Sequence, residues 1–396
     1  MCLGATADSA CEAGAVIVVA GAGLAGLQTV VALRSRGYVG QLVLVGAEAE
    51  PPYDRPPLSK QLLRGETDST TLEADWPALD VDLRLSTRAL GVGDHVLTTD
   101  RGELPFDRLV LATGAQPRRL PGADHALTLR TRADALELRA AIRPGARLVI
   151  VGAGWIGAEV ATAAAAVGTA VTVVEGLEAP LAGALPSDVG HRMLPWWSGV
   201  DLRLCARVSK VQNDAVTVVG GGRIAADLVL VAVGATPTVV DGVELTPEGA
   251  VAVDAQLRTS RPDVFAVGDC ASWPSHRYGT RMLVEHWDNA LHGPTAVAAN
   301  CLGAADVWDP VPYFWSEQWG RMLQYAGHHP AGDHIVWRED GERWAAFWLA
   351  GNRLVSAVTV DRPRDLVQAR RLMQRSGAVD GALLADPTVA VKDCAL

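Results

Sequence analysis

"VIVVAGAGLAG", residues 16–26, is a β-branched run that gives way to glycines at Gly21, Gly23 and Gly26. The apolar run predicts a short buried strand. In the G-x-G-x-x-G that follows, the first glycine permits a tight turn, the second lets the backbone approach a pyrophosphate, and the third lets helix and strand pack closely. The helix that opens there offers the positive end of its dipole to the anion. The same device recurs as "RLVIVGAGWIG" at 147–157, with Gly152, Gly154 and Gly157. Each copy leads into a helix that ends at a glycine, "LQTVVALRSRG" at Gly37 and "AEVATAAAAVG" at Gly168. A second strand then runs to an acid, Glu48 after "QLVLVG" and Glu175 at the end of "TAVTVVE". An acid at that distance hydrogen-bonds an adenosine ribose. One such motif is weak, because glycine-rich turns occur in many α/β proteins; two copies, each with strand, turn, helix, strand and acid in order, predict two dinucleotide sites.

The economical pair of ligands is a flavin and a nicotinamide, since a nicotinamide site alone needs no second copy. Glu175 repels a 2′-phosphate, and the loop after it, "GLEAPLAGALPSDVG" at 176–190, holds no arginine to receive one. NADH is therefore expected in preference to NADPH. Two further strands end in glycine, "LVLATG" at 109–114 and "LVLVAVG" at 228–234, and read as the crossings between nucleotide domains. In "DVFAVGDC" at 263–270, Asp269 is placed to accept from a ribitol hydroxyl while Gly268 lets the backbone come close; the plainer alternative is a helix cap.

At 396 residues the chain is long enough for two or three domains. A net charge of −10 argues against nucleic acid as the main ligand. The six cysteines form no C-x-x-C pair, so neither zinc nor an iron–sulfur cluster is expected. No cysteine lies between Cys11 and Cys205, which leaves no dithiol beside a flavin and requires electrons to pass directly to an acceptor. Residues 13–33 carry no charge, but Gly14, Gly21, Gly23 and Gly26 divide the run into strand, turn and helix. The first cation is Arg34, so no signal peptide is read, and the cytoplasm is expected, with residues 1–14 as a loose tail.

"PPYDRPPLSK" at 51–60 places four prolines in ten positions directly after the first nucleotide-binding strand pair. Proline fixes φ, so the segment is stiff. It holds Lys60, one of three lysines against 32 arginines, which suggests that a compact cation is wanted there.

With these residues in view, the sequence resembles the FAD- and NADH-dependent ferredoxin reductases that serve Rieske-type and haem-thiolate oxygenases. The likeness runs from about residue 15 to the C-terminus and is carried by "PYDRPPLSK", "ATGAQPR", "LRT" at 129–131, "GAGWIGAEVA", "DVFAVGDCA", "VPYFWSEQW" and "LADPTVAVKD". The resemblance implies an α/β fold of glutathione-reductase-like architecture, with two Rossmann-like dinucleotide-binding domains and a C-terminal α+β domain. An FAD-binding domain would comprise 15–118 and 240–310, an NAD-binding domain 119–239, and the C-terminal domain 311–396. It implies that Arg55 serves the FAD pyrophosphate and that Lys60, paired with Glu159, stabilises charge on the reduced flavin. A unit charge about 4 Å away at an effective dielectric near 20 is worth roughly 4 kcal/mol, at most on the order of 170 mV in a one-electron potential. Also carried over are Ala25 and Ile156 in the glycine turns, Arg130, Gly234, Asp269, Trp287 and Trp315. Trp319 is expected to be core.

The chain departs from the pattern at Ala47, where the family often has Asp, and in the arginine-free loop after Glu175. It departs again at Trp155, whose ring either gates the nicotinamide or packs. The implied reaction is hydride transfer from NADH to FAD, then single-electron transfer to an iron–sulfur ferredoxin. A small-molecule acceptor, such as a quinone, a biosynthetic intermediate or oxygen, is the alternative, and a redox-switched binding protein is a third. Ferredoxins are usually acidic, so Arg281, Arg362, Arg364, Arg370, Arg371 and Arg375 are docking candidates, against an ordinary solvated helix face.

Overall fold

The computed structural model describes residues 14–396, so the expected loose tail lies, Gly14 apart, outside the described residues. The chain divides into two compact units. The first comprises the described residues up to Asp54, Thr71–Gln116 and Thr236–Pro310; the second comprises Arg55–Thr70, Pro117–Ala235 and Val311–Leu396.

The first unit is built on a parallel sheet of five strands in the order Val264–Ala266, Arg108–Leu111, Val16–Ala20, Gln41–Val45, Val81–Arg84. Its central strand is sealed on both faces, with Ile17, Val18, Val19 and Ala20 at most 1% exposed. That is why these residues read as a continuous apolar run rather than an alternating one. Strand order reverses at Val16–Ala20, so the glycine turn at its C-terminal end stands at a topological switch point. The helix Leu24–Ser35 follows the turn and packs along the helix Trp287–Cys301.

The second unit repeats the plan. Its parallel sheet has the order Asp201–Arg203, Ala170–Val174, Arg147–Val151, Leu228–Val231, with the helix Trp155–Ala166 after the second glycine turn. The repeat reaches further than the glycine motif. In each unit a three-stranded antiparallel meander, 89–105 or 208–225, leads into the last strand around the switch point. An aspartate just before that strand closes the first strand in the same way: Asp107 accepts from Val16 N at 2.7 Å, and Asp227 from Arg147 N at 2.9 Å. The Arg147 guanidinium also bonds Asp227 and holds its carboxyl down at about 2.

The C-terminal stretch of this unit is the expected α+β element. Five antiparallel strands lie in the order Tyr313–Gln318, Arg321–Gly327, Arg353–Val360, Arg343–Ala350, His334–Asp340. The helix Pro363–Arg375 joins their core through Leu366, Ala369, Leu372 and Met373, alongside Phe347 and Ala357. Arg338 is fully buried there and compensated: Nε donates to Leu384 O at 2.7 Å, Nη1 to Val389 O at 3.0 Å, and Asp365 supplies the counter-charge.

Apart from residues 55–70, the two units part at 116/117, 235/236 and 310/311. Residues 55–70 cluster with the second unit, not with the first nucleotide domain. Their short turn Pro56–Ser59 packs on the helix Trp155–Ala166, and Leu58, Leu62 and Leu63 are buried.

The glycine turns divide into positions that space forbids to other residues and positions that it does not. A Cβ on Gly26 would lie 1.8 Å from Gly21 O, whereas one on Gly23 would meet nothing within 4 Å. Gly26→Ala is expected to lower stability by about 3 kcal/mol and Gly23→Ala by no more than about 0.5 kcal/mol, as read from denaturant unfolding of the two variants.

Candidate active site

In the first unit, Gly21 takes φ +121°, and a Cβ there would stand 2.1 Å from Ala112 O. Gly23 is the N-cap of the helix Leu24–Ser35, with no side-chain cap and no acid in the first turn. The first amides of that helix are thus left to an external acceptor, and the space over Gly23 is open. A pyrophosphate fits this cradle in size and in charge. Gly268, at φ +77°, comes so near that an added Cβ would lie 3.1 Å from the Ala25 Cβ. Asp269, two-sidedly flanked in the 3-10 turn Gly268–Cys270, therefore sits beside the glycine turn; the cap of its turn is Val267, which removes the plain capping explanation. Glu48 accepts from the Tyr53 hydroxyl.

Trp287 opens its helix, and its indole N–H donates to Asp54 Oδ1 at 2.6 Å. Burial raises the Asp54 carboxyl, and the Trp287 bond works against that rise. The neighbouring His286 imidazole is pushed down to about 4 by burial, with Asp269 opposing, so it is neutral at neutral pH.

The second unit has the matching cradle. Gly152 takes φ +105°, and Gly154 is an N-cap with no side-chain cap and no acid in the first turn. A Cβ on Gly157 would lie 2.0 Å from Gly152 O. Ile156 is 37% exposed in the first turn of the helix. The Glu175 carboxylate accepts from Ala153 N at 2.7 Å and from Leu177 N at 2.9 Å, which fixes the acid at the mouth of the turn. Gly234, at φ +99°, accepts from Arg118 N at 2.9 Å. Arg55 and Arg130 come together: the Arg55 Nη1 donates to Arg130 O at 2.7 Å. Arg130 N in turn donates to Asp134 Oδ2, part of the capping group around Thr131.

Lys60 and Glu159 form a direct ion pair, Nζ to Oε2 at 2.7 Å, with the two residues 6% and 4% exposed. Three further side chains, missed in the sequence, complete the cluster. Ser59 donates to the same carboxylate oxygen, Ser316 Oγ donates to Oε1 at 2.6 Å, and Gln318 Nε2 donates to Ser316 Oγ at 2.9 Å. For Ser316 and Gln318 the sequence signal is that the strand Tyr313–Gln318 puts polar residues at two of three positions on its buried face, Phe314, Ser316 and Gln318. Trp315 lies on the other face, stacked on Tyr313 with centroids 6.0 Å apart. Trp155 packs edge-on against Phe314 at 4.5 Å; Trp319, expected to be core, is only partly buried and packs on Trp197 at 5.1 Å.

The basic candidates separate. Arg362 is tied to Asp365 and Asp340, Arg370 donates to Val311 O and lies over the Tyr313 ring, and Arg281 donates to Val253 O. Arg364, Arg371 and Arg375 are exposed on the helix Pro363–Arg375. Lys392 is exposed beside them, its backbone N bonded to Gln368 Oε1.

Residues 15–293 match the family described as pyridine nucleotide-disulphide oxidoreductase, and residues 313–395 match the reductase C-terminal domain. The chain belongs to the pyridine nucleotide-disulphide oxidoreductase family. The family's cofactors are FAD and NAD(H), which agrees with the two cradles. Among the described residues the four cysteines, Cys205, Cys270, Cys301 and Cys394, are all free. It is 36% identical to the ferredoxin–NAD(+) reductase component of a p-cumate 2,3-dioxygenase system from Pseudomonas putida, over 96% of this chain and 98% of that protein. It is 45% identical to the solved structure of Fdr9, with a TM-score of 0.92 over 95% of this chain and 99% of the other. The covalent putidaredoxin reductase–putidaredoxin complex matches at 30% identity and a TM-score of 0.91, over 97% and 98%. No helix of the described residues is long and apolar enough to cross a membrane.

Removing one partner of a buried ion pair strands the other. Lys60→Met is expected to cost about 3 kcal/mol in denaturant unfolding, and adding Glu159→Leu to recover most of it. Gly23→Ala, folded as above, is expected to purify without the yellow flavin absorbance.

Proposed function

We propose that this chain takes hydride from NADH onto FAD and passes single electrons to an iron–sulfur ferredoxin that serves a monooxygenase or a Rieske-type oxygenase. The observation that carries this reading is the pair of uncapped glycine turns, each suited to a pyrophosphate, in a chain similar from end to end to ferredoxin–NAD(+) reductase components. FAD, when bound, supplies the chemistry of accepting a hydride and releasing electrons one at a time.

The chain's own residues bind, orient and adjust charge. We assign Gly21, Gly23, Gly26 and Ala25 to the FAD pyrophosphate, with Arg55 as its cation, Glu48 to the ribose and Asp269 to the ribitol. Trp287, held by Asp54, Trp315 and Arg130 complete the flavin set. Gly152, Gly154, Ile156, Gly157 and Gly234 serve NADH. Glu175 disfavours a 2′-phosphate, and its two backbone bonds keep it from swinging away to admit one. Lys60 is the compact cation that offsets negative charge on the reduced cofactor, and Glu159 holds the ammonium in place. No side chain is required as a nucleophile. The functional division remains 15–118 with 240–310 for FAD, 119–239 for NADH and 311–396 for the C-terminal domain. The exposed face of Arg364, Arg371, Arg375 and Lys392 is the docking surface for the acidic ferredoxin. Cytoplasmic residence suits a chain that draws on NADH.

Stopped-flow mixing tests this. NADH is expected to bleach the flavin at least about tenfold faster than NADPH, a difference of about 1.4 kcal/mol, with reoxidation on adding a [2Fe–2S] ferredoxin. Bleaching without ferredoxin turnover would transfer the acceptor role to a quinone, a biosynthetic intermediate or oxygen. Arg364→Glu with Arg371→Glu is expected to raise the ferredoxin KM by about tenfold and weaken its salt dependence, leaving NADH-driven bleaching unchanged.

A further inference from the structure

The cluster around Glu159 holds more than an ion pair. Lys60 and Ser59 converge on one carboxylate oxygen, and Ser316 occupies the other at 2.6 Å. Ser316 and Gln318 are each 1% exposed. A hydroxyl has one proton to give. With Gln318 Nε2 donating to Ser316 Oγ at 2.9 Å, that proton is directed at Glu159.

Ser316 is also the middle of three contacts that register the strand Tyr313–Gln318 along the helix Trp155–Ala166. Phe314 meets Trp155, Ser316 meets Glu159, and Trp319 N donates to Thr162 Oγ1 at 3.1 Å. Positions 155, 159 and 162 follow i, i+4, i+7 on one helix face, so the strand cannot slide without breaking all three.

We propose that Ser316, locked as a donor by Gln318, is a positioning residue that fixes the Glu159 carboxylate and sets how much of the Lys60 charge acts on the flavin. The C-terminal domain is thereby part of the redox-tuning machinery. This rests on the assignment of Lys60 and Glu159 made above. A donor on Oε1 puts the positive end of a dipole against the carboxylate. Without it, a buried oxygen loses its partner, more of the Lys60 charge is spent on Glu159, and the reduced, more negative flavin loses stabilisation.

The test is the flavin potential of the FAD-loaded full chain, equilibrated against a reference dye. Ser316→Ala is expected to shift the oxidised-to-reduced ratio about tenfold toward oxidised, a fall of about 30 mV for a two-electron couple. Ser316→Thr should return it to within about twofold, under 10 mV. Gln318→Leu should shift it the same way by less, which also covers the case in which Ser316→Ala fails to fold. In a Glu159→Gln background the Ser316→Ala shift should vanish. A potential unchanged or raised in Ser316→Ala overturns the proposal, as does an equal fall in the Glu159→Gln background, which is the mark of a general structural effect. An unchanged potential in Gln318→Leu overturns the locking role. Lys60→Met separates the two levels: a fall in its potential with none in Ser316→Ala defeats only this proposal, while no change in Lys60→Met defeats the assignment beneath it.

Discussion

A carboxylate shut away from water must be supplied with donors, and Glu159 draws its supply from two distant stretches of chain. Lys60 and Ser59 come from the proline-rich segment, and Ser316 comes from the C-terminal sheet. An unpaired charge at that depth would cost several kcal/mol. This demand, added to the burial of Leu58, Leu62 and Leu63, accounts for the membership of residues 55–70 in the second unit. It also accounts for the stiffness read in the prolines: a lysine on a loose loop would not stay desolvated against one carboxylate oxygen.

The glycine turns were legible because their constraints are local. A tight turn at Gly21 or Gly152 and a close approach at Gly26 or Gly157 are satisfied within a few residues, so the sequence pattern and the geometry are nearly the same statement. The duplication in the sequence extends beyond the glycine motifs. "FDRLVLATG" at 106–114 and "ADLVLVAVG" at 226–234 carry the aspartates that close the two first strands. Helical period would likewise have separated the arginines of 362–375, because Leu366, Ala369, Leu372 and Met373 fix the inward face and leave Arg364, Arg371 and Arg375 outward.

What could not be read are contacts made across long separations. Ser316 and Glu159 are 157 residues apart, and Trp287 and Asp54 are 233 apart. A serine between aromatics, or an aspartate in a proline-rich turn, looks ordinary until the fold shows what it faces. The leucines that move residues 55–70 into the second unit escape for the same reason, since an apolar residue in sequence does not say which core it joins.

The helix Pro363–Arg375 keeps its two faces on separate side chains, one buried in the sheet core and one lined by Arg364, Val367, Arg371, Gln374 and Arg375. Mutation can therefore rewrite the outward face in evolution, or in the laboratory, without repacking the domain beneath it. On the docking assignment proposed above, a change of electron carrier would call for changes in this strip alone, while the buried bonds to Glu159 stay as they are.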